Sequence, residues 1–339
     1  MCGHLFQCGG SPHGGRCVKN PIYLKDYLAE CINEGVPAAL AGVVELLAKA
    51  ALEIADEIKA STLNPAFQGP VSINVQGEVQ KPLDVLANDI IIAACMALPQ
   101  VRLAVSEELE DPVACHGGGV FSVIFDPLDG SSNLDVNITV GSIFSIVEAV
   151  DLPGVLKSGR SQRFAGYVAY GPATLFAFTF GPEVVFFGAG DNGQWQMISR
   201  KHIMPESNGE YSINGSRRSE WPQAIQDFVR DCELGEAGPL GRRYNMRWVG
   251  SMVAEVHRIL LRGGLFMYPS TSDVKPGKLR LLYEANPMSM ILEAAGGLAF
   301  DGGKRILDID PTGIHQRVGV IMGSRTEVSE VRGYFADQT

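Results

Sequence analysis

The run Phe125-Asp126-Pro127-Leu128-Asp129-Gly130-Ser131-Ser132 follows directly on the apolar segment Val120-Phe121-Ser122-Val123-Ile124. A strand that ends in carboxylates, a proline and a glycine turn belongs to folds that open strand ends onto a cleft. In α/β proteins the loops at those carboxyl ends build the sites. The predicted strand tip carries two carboxylates three residues apart, then a glycine turn with two hydroxyls and their backbone amides. Hard cations such as Mg²⁺ take oxygen donors of this kind, and an amide-rich turn takes phosphate. Both on one loop point to metal-assisted phosphate chemistry.

The rest of the chain supplies a frame for that loop. Leu40, Val44, Leu47, Ala51, Ile54 and Ile58 recur at three- and four-residue spacing and predict an amphipathic helix from Pro37 to about Ser61. A second helical pattern opens at Asp84 and runs toward Leu98. Val101–Val105 reads as a short strand ending at Ser106-Glu107-Glu108, a second strand tip bearing carboxylates. Residues 137–150 alternate and are predicted to pair with the strand before the loop, and β segments follow at Phe164–Tyr170, Thr174–Phe180 and Val184–Gly188. Beyond Lys201 a helix is predicted over Val249–Leu261 and a strand over Leu265–Tyr268. A further helix opens with Asn286 as N-cap and Pro287 at its first position. Alternating strands and helices imply a layered α/β arrangement in two halves, residues 23–200 and 201–335. Residues 1–22 form a leader, expected to be disordered, whose cysteines and histidines fit no common zinc spacing.

Composition excludes several classes of function. A formal charge of −10 over 339 residues argues against sequence-independent nucleic-acid binding. No apolar run approaches the roughly 20 residues that span a bilayer, and the N-terminus lacks the apolar core of a secretion signal. A cytoplasmic location is the expectation. The seven cysteines contain no C-x-x-C pair and read as thiols in a reducing compartment.

Glu107, Glu108, Asp126, Asp129 and Glu284 fall at predicted element ends. A lone carboxylate on a loop is most often simply solvated. At Asp126 a metal cluster is the better explanation, because the carboxylate ends an apolar strand and is followed by Pro, another Asp and Gly.

The Asp-Pro-Leu-Asp-Gly-Ser-Ser run resembles the metal loop of the lithium-sensitive sugar and inositol phosphatases. Longer stretches narrow the resemblance to class I fructose-1,6-bisphosphatases of bacterial type. They include Asn74–Glu78 with Leu83-Asp84, Ser106-Glu107-Glu108 and Asp126–Asp135. Further on come Gly250–Arg258, Gly277–Pro287 and Ile314-His315-Gln316-Arg317, in the family's order between about Tyr27 and Gly333.

The resemblance implies the sugar-phosphatase fold, with alternating α-β-α-β-α layers. It also implies hydrolysis of the 1-phosphate of fructose 1,6-bisphosphate, in gluconeogenesis or a carbon-fixation cycle. Glu107, Asp126, Leu128 (through its carbonyl), Asp129 and Glu284 would hold two or three Mg²⁺ ions per subunit, with Mn²⁺ able to substitute. Asp84 and Glu108 would orient or deprotonate the attacking water. Asp129, Gly130, Ser131 and Ser132 would hold the phosphate being cleaved. Asn214, Arg247, Tyr268 and Lys278 match residues for the 6-phosphate, and Arg280 one beside the 1-phosphate. Arg247 would reach a neighbouring subunit's site, within a homo-oligomer that the family makes tetrameric.

Taken alone, Lys278 and Arg280 read as a solvated pair, Tyr268 reads equally as core or site, and His257 and His315 read as packing residues. Departures from the family stand out as well. The animal AMP-binding turn is absent near Asn33–Pro37, and Val120-Phe121 and Glu148 replace its basic partners, so AMP inhibition of that kind is not expected. Residues 151–163 carry no cysteine, so neither is a thioredoxin switch. Trp248 and Arg217 stand where the family has tyrosines at the 6-phosphate end. They leave room for sedoheptulose 1,7-bisphosphate as a substrate, and an inositol-monophosphatase-type activity is the other alternative.

Overall fold

The computed structural model describes residues 21–61, 72–73, 79–271 and 277–336. The predicted leader, apart from Pro21 and Ile22, and the Asn74–Glu78 stretch lie outside them. Ile22 is tied down, its carbonyl accepting from Met197 N at 2.8 Å.

Three helices form the first layer: α1 (Leu24–Asn33), α2 (Ala38–Ser61) and α3 (Pro82–Met96). The predicted stripe on α2 buries Leu40, Val44, Leu47, Ala51 and Ile54. Pro82 opens α3, where a missing N–H costs no intrahelical bond. An antiparallel pair, β1 (Ser72–Ile73) and β2 (Val79–Gln80), precedes α3.

The main sheet comprises β3 (Val101–Ser106), β4 (Val113–Ala114), β5 (Phe121–Asp129), β6 (Val140–Glu148), β7 (Gln162–Tyr170), β8 (Thr174–Thr179), β9 (Val184–Ala189) and β10 (Trp195–Ser199). A one-turn helix, α4 (Leu152–Val155), follows β6. Strand order is β10-β9-β8-β7-β6-β5-β3-β4. The pairs are antiparallel except β3–β5, which runs parallel and brings two strand ends out side by side. The second sheet, ordered β12-β11-β13-β17-β15, is built from β11 (Glu210–Ile213), β12 (Asn245–Met246), β13 (Leu265–Tyr268), β15 (Leu298–Phe300) and β17 (Val320–Gly323). A small ladder joins β14 (Leu279–Arg280) to β16 (Arg317–Val318). The remaining helices are α5 (Gln223–Glu233), α6 (Met252–Arg262), α7 (Asn286–Ala294) and α8 (Arg325–Ala336).

Side-chain alternation along the strands sets the layers. Phe144 and Ile146 of β6 pack with α1–α3, whereas Ile143 packs with Val253 and Val256 of α6 and Ile291 of α7. On β13, Phe266 faces that same middle layer. Leu265 and Met267 face Phe228 of α5 and Val328 of α8. The result is an α-β-α-β-α stack, an α/β fold.

Three local expectations are corrected. The strand predicted over Val120–Ile124 does not stop before the carboxylates; β5 continues through Pro127 to Asp129. Asn286 is not an N-cap, because a π-helical turn, Leu281–Ala285, feeds directly into α7. The helix predicted from Val249 begins at Met252, with Ser251 as its N-cap.

Candidate active site

The continuation of β5 explains how both carboxylates of the sequence run face the same way. Residues an odd number apart on a regular strand point to opposite faces. Asp126 pairs with Ile143 and Asp129 with Gly141, so three steps along β5 match two along β6. This bulge returns Asp129 to the face of Asp126. Pro127, which has no N–H for a ladder, falls inside the bulge. Its carbonyl accepts from Ser142 Oγ at 2.7 Å, and Leu128 N donates to Asp126 Oδ1 at 2.9 Å.

Two other elements deliver carboxylates to the same place. The parallel register Ser106↔Phe125 sets Glu107 beside Asp126, with Glu107 N donating to Phe125 O at 3.1 Å. Glu284 sits on the π-turn, a departure from helix geometry common at functional sites. Carboxylate oxygens of Asp126, Asp129 and Glu284 lie within 4.8 Å of one another, all three buried. Arg280 Nη1 stands 3.0 Å from Glu107 Oε1 and 4.0 Å from Glu284 Oε2. The Arg280 backbone N donates to Glu284 Oε2 at 2.6 Å.

This crowding is electrostatically expensive. Burial first, then repulsion from Glu107, Asp129 and Glu284, pushes the Asp126 carboxyl well above its ordinary range. Burial and Glu107 push Glu284 the same way against the pull of Arg280. Burial also raises Asp129, restrained by hydrogen bonds from Ser251 Oγ at 2.7 Å and Val253 N at 2.8 Å. Four buried carboxylates thus gather around one buried guanidinium. An all-oxygen, negatively overcharged donor set of this kind fits hard divalent cations, which would offset the cost of burial.

The glycine turn adjoins this cluster. Gly130 has φ 75°, and a Cβ there would fall 2.5 Å from Ser251 Cβ, so only glycine fits. Ser131 and Ser132 begin the 3₁₀ turn Ser131–Val136. Lys81 Nζ holds the turn from outside, 3.0 Å from Ser131 O and 2.8 Å from Asp135 Oδ2. Asp84 is buried beside it, accepting from Lys81 N at 2.7 Å and from the Ser131 side chain. Burial, assisted by the charge of Glu108, pushes the Asp84 carboxyl from 3.8 up to about 6. Glu108 in turn accepts from Gln80 Nε2 at 2.8 Å.

A cavity of about 630 Å³ opens over these groups. Glu107, Glu108, Asp126, Leu128, Asp129 and Glu284 line one end, with the Gly130–Ser132 turn. Arg280 lines the cavity beside Glu107 and Glu284, and Asn214, Tyr268 and Lys278 line it as well, together with Trp248 and Phe266. Trp248 stacks on Phe266 with ring centroids 6.4 Å apart and planes 12° apart, and its centroid is 6.1 Å from that of Tyr268. The space has a carboxylate end, an aromatic shelf and three cations, Lys81, Lys278 and Arg280.

Comparison with known proteins decides the family. Residues 29–200 match the model of the fructose-1,6-bisphosphatase N-terminal domain, and residues 204–336 that of its C-terminal domain. The chain belongs to the fructose-1,6-bisphosphatase family. A class 1 fructose-1,6-bisphosphatase of Neisseria meningitidis serogroup C is 46% identical over 312 residues, covering 90% of this chain and 96% of the relative. One from Hydrogenovibrio crunogenus is 46% identical over 310 residues, covering 89% and 96%. The crystal structure of Leishmania major fructose-1,6-bisphosphatase in holo form superposes with a TM-score of 0.87 at 31% identity, covering 94% of this chain and 99% of that one. Its T-state structure gives a TM-score of 0.82 at 30% identity, covering 93% and 98%.

Not every residue that the fructose-1,6-bisphosphatase resemblance singles out faces the cavity. Arg247 lies outside it, half-exposed, with Nη2 3.3 Å from Glu210 Oε1. Asp84 stands behind the lining, against Ser131. Arg217 also lies outside it, 4.0 Å from Glu220. Tyr268 is half-buried and lines the cavity. Sequence reasoning gave no role to Lys81 or Ser251, both of which line the cavity and hold the Gly130–Ser132 turn and Asp129. An N-cap serine at the head of a predicted helix was the available clue to Ser251.

Proposed function

We propose that the chain is a fructose-1,6-bisphosphate 1-phosphatase that uses Mg²⁺ and releases fructose 6-phosphate and inorganic phosphate. One observation carries the reading: buried Asp126, Asp129 and Glu284 converge at one end of a cavity whose walls also carry Lys278 and Arg280. The first group suits a metal-assisted phosphoryl site. Arg280 pairs with the carboxylates at that end, whereas exposed Lys278 suits a second phosphate on the substrate.

Glu107, Asp126, Asp129, Glu284 and the Leu128 carbonyl would hold two or three Mg²⁺ ions, with Mn²⁺ as a substitute. When bound, such ions supply Lewis-acid polarisation and neutralise charge on the transferring group. The chain's own residues do the rest. Asp84 is ionised at neutral pH and takes the proton of the attacking water, with Glu108 orienting that water beside it. Ser131, Ser132 and the Gly130 turn hold the reacting phosphate through hydroxyls and backbone amides. Arg280 sits at the reacting end, and Asn214, Tyr268 and Lys278 hold the 6-phosphate. Arg247 supplies its contact to a neighbouring subunit's site in a homotetramer working in the cytoplasm. Residues 23–200 form the metal-loop domain and 201–335 the substrate domain. No helix among the described residues is long and apolar enough to cross a membrane.

The test is phosphate release from fructose 1,6-bisphosphate with Mg²⁺ and with a chelator, beside sedoheptulose 1,7-bisphosphate and inositol monophosphate. Mg²⁺-dependent turnover with preference for fructose 1,6-bisphosphate supports the reading. Equal or faster turnover of inositol monophosphate, or turnover indifferent to the chelator, overturns it.

A further inference from the structure

The segment Ile314-His315-Gln316-Arg317 runs alongside the turn that presents Glu284. Leu281 N donates to Gln316 O at 2.8 Å, and Arg280 pairs with Arg317 across the β14–β16 ladder. His315 does not line the cavity, yet its ring joins two segments that do. Nε2 is 3.0 Å from the Leu109 carbonyl oxygen, and Nδ1 is 2.8 Å from the Tyr283 hydroxyl.

A carbonyl only accepts, so the proton of the neutral ring sits on Nε2, and Nδ1 accepts from Tyr283 Oη–H. Burial, with Arg280 nearby, lowers the ring's affinity for a second proton although the Leu109 carbonyl favours it, which keeps the ring neutral. Leu109 follows Glu107-Glu108 directly, and Tyr283 precedes Glu284. One imidazole therefore spans the two carboxylate-bearing segments, 206 residues apart on one side and 32 on the other. These segments repel each other through Glu107 and Glu284, and a rigid ring resists the opening that repulsion favours.

We propose that His315 is a positioning residue for the carboxylate centre, clipping the Glu107–Leu109 segment to the Tyr283–Glu284 turn through its two ring nitrogens. The inference rests on reading that centre as the metal site. Hydrogen-bonding partners outside a metal's ligand set fix ligand geometry, and losing one typically costs about 10- to 100-fold in metal affinity.

The molecule contains its own control. Tyr167 and His257 form a second tyrosine–histidine pair, with hydroxyl to Nδ1 at 2.9 Å, which joins β7 to α6 rather than the Glu107–Leu109 segment to the Tyr283–Glu284 turn. Mn²⁺ binding to the full chain, read by the electron paramagnetic resonance of free Mn²⁺, is compared across His315→Ala, His315→Gln, Tyr283→Phe and Tyr167→Phe, alongside melting temperature. His315→Ala is expected to weaken Mn²⁺ binding about 10- to 100-fold and Tyr283→Phe by a smaller factor. His315→Gln, which keeps an N–H donor for Leu109, recovers part of the loss. Tyr167→Phe is expected to lower the melting temperature yet bind Mn²⁺ as the wild type does. Unchanged Mn²⁺ binding in both His315→Ala and Tyr283→Phe overturns the proposal, as does an equal loss in Tyr167→Phe. If His315→Ala does not fold, Tyr283→Phe, which removes one oxygen, decides the matter alone. Failure of the wild-type chain to bind Mn²⁺ defeats the metal reading and this inference together; binding that no variant alters defeats only the inference.

Discussion

Two charge clusters in this molecule, each built on buried carboxylates, are made of the same residue types with opposite balances. At the active-site end, Glu107, Asp126, Asp129 and Glu284 are buried together, and Arg280 reaches Glu107 and Glu284. Under the second sheet, Glu210 and Glu255 meet Arg258, Arg262 and Arg247. Arg258 lies 2.6 Å from Glu210 and 3.1 Å from Glu255, and the other two arginines each lie 3.3 Å from Glu210. Ser212 Oγ and Val249 N, each at 2.6 Å, complete the Glu255 carboxylate. The second cluster is neutralised by its own chain and acts as scaffold. The first is left with a surplus of carboxylates, whose charge added cations or protonation of the raised carboxyls would offset, so the imbalance itself marks the candidate site.

The same chemical change should therefore have opposite effects on stability at the two places. Asp126→Asn removes a charge that burial and three neighbouring carboxylates already disfavour. The metal-free variant is expected to melt higher than the metal-free wild type, and Mg²⁺ should no longer raise its melting temperature. Phosphate release should fall about a thousandfold or more, since a metal site contributes several kcal/mol to the transition state. An Asp126→Asn protein that is less stable without metal would show that the carboxylate surplus is not a strain on the fold.

Glu210→Gln is the mirror case. It takes from Arg258 the nearer of its two carboxylates and leaves Glu255 at 3.1 Å. Urea denaturation should show a loss of about 3 kcal/mol, at the lower end for a broken buried pair because Arg258 keeps that partner and Arg247 and Arg262 stay partly solvated. A stabilised Glu210→Gln would erase the distinction between the clusters.

Asp84 tests a milder version of the first imbalance. Its folded carboxyl titrates at about 6 against an ordinary 3.8. Between those values the native state binds the proton more tightly than the unfolded chain, so stability falls as pH rises through the window. At neutral pH the ionised group costs about 3 kcal/mol. A base must be ionised to act, so kcat/KM is expected to rise as pH passes about 6 and to level off above. Asp84→Asn should lose about 100-fold in kcat/KM, abolish that limb of the pH profile and raise the melting temperature at pH 7. A profile with the limb intact in Asp84→Asn would reassign the proton to another group.

The sequence showed which residues gather at the site more clearly than how the backbone brings them there. Strand β5, helix α2 and the carboxylates at Glu107, Asp126, Asp129 and Glu284 are legible because period and residue type carry them. Pro127 reads as a strand end because a proline removes a ladder donor, and nothing local shows that a bulge absorbs it. Pro287 reads as a helix start because it sits at a first turn, and the π-turn ahead of it depends on tertiary packing. Helix α5, over which no element is predicted from the sequence, carries a readable stripe in Ala224, Ile225, Phe228, Val229 and Cys232. The bonds from Ser251 to Asp129 and from Lys81 to Ser131 join residues 122 and 50 positions apart, beyond the reach of any local pattern. The balance of the two charge clusters is likewise a property of the fold, since an Asp or Glu carries no sign of which cations will face it.

The smallest expected effect is at Lys278. Its side chain is exposed, lines the cavity and pulls on Asp129 without lying deep in the carboxylate group. If it holds the phosphate that does not react, its contact is present equally in the bound substrate and in the transition state. Uniform binding of that kind lowers KM and leaves kcat alone. Losing one solvated, charge-assisted contact is worth about 1.4 kcal/mol, or roughly tenfold. Lys278→Met should therefore raise KM for fructose 1,6-bisphosphate about tenfold, with kcat little changed. For a sugar 1-phosphate that lacks the second phosphate, KM should stay where it is. Steady-state kinetics on the two substrates separate the cases: an equal rise in KM for both, or a fall in kcat, would place Lys278 with the reacting end and its surplus of carboxylates.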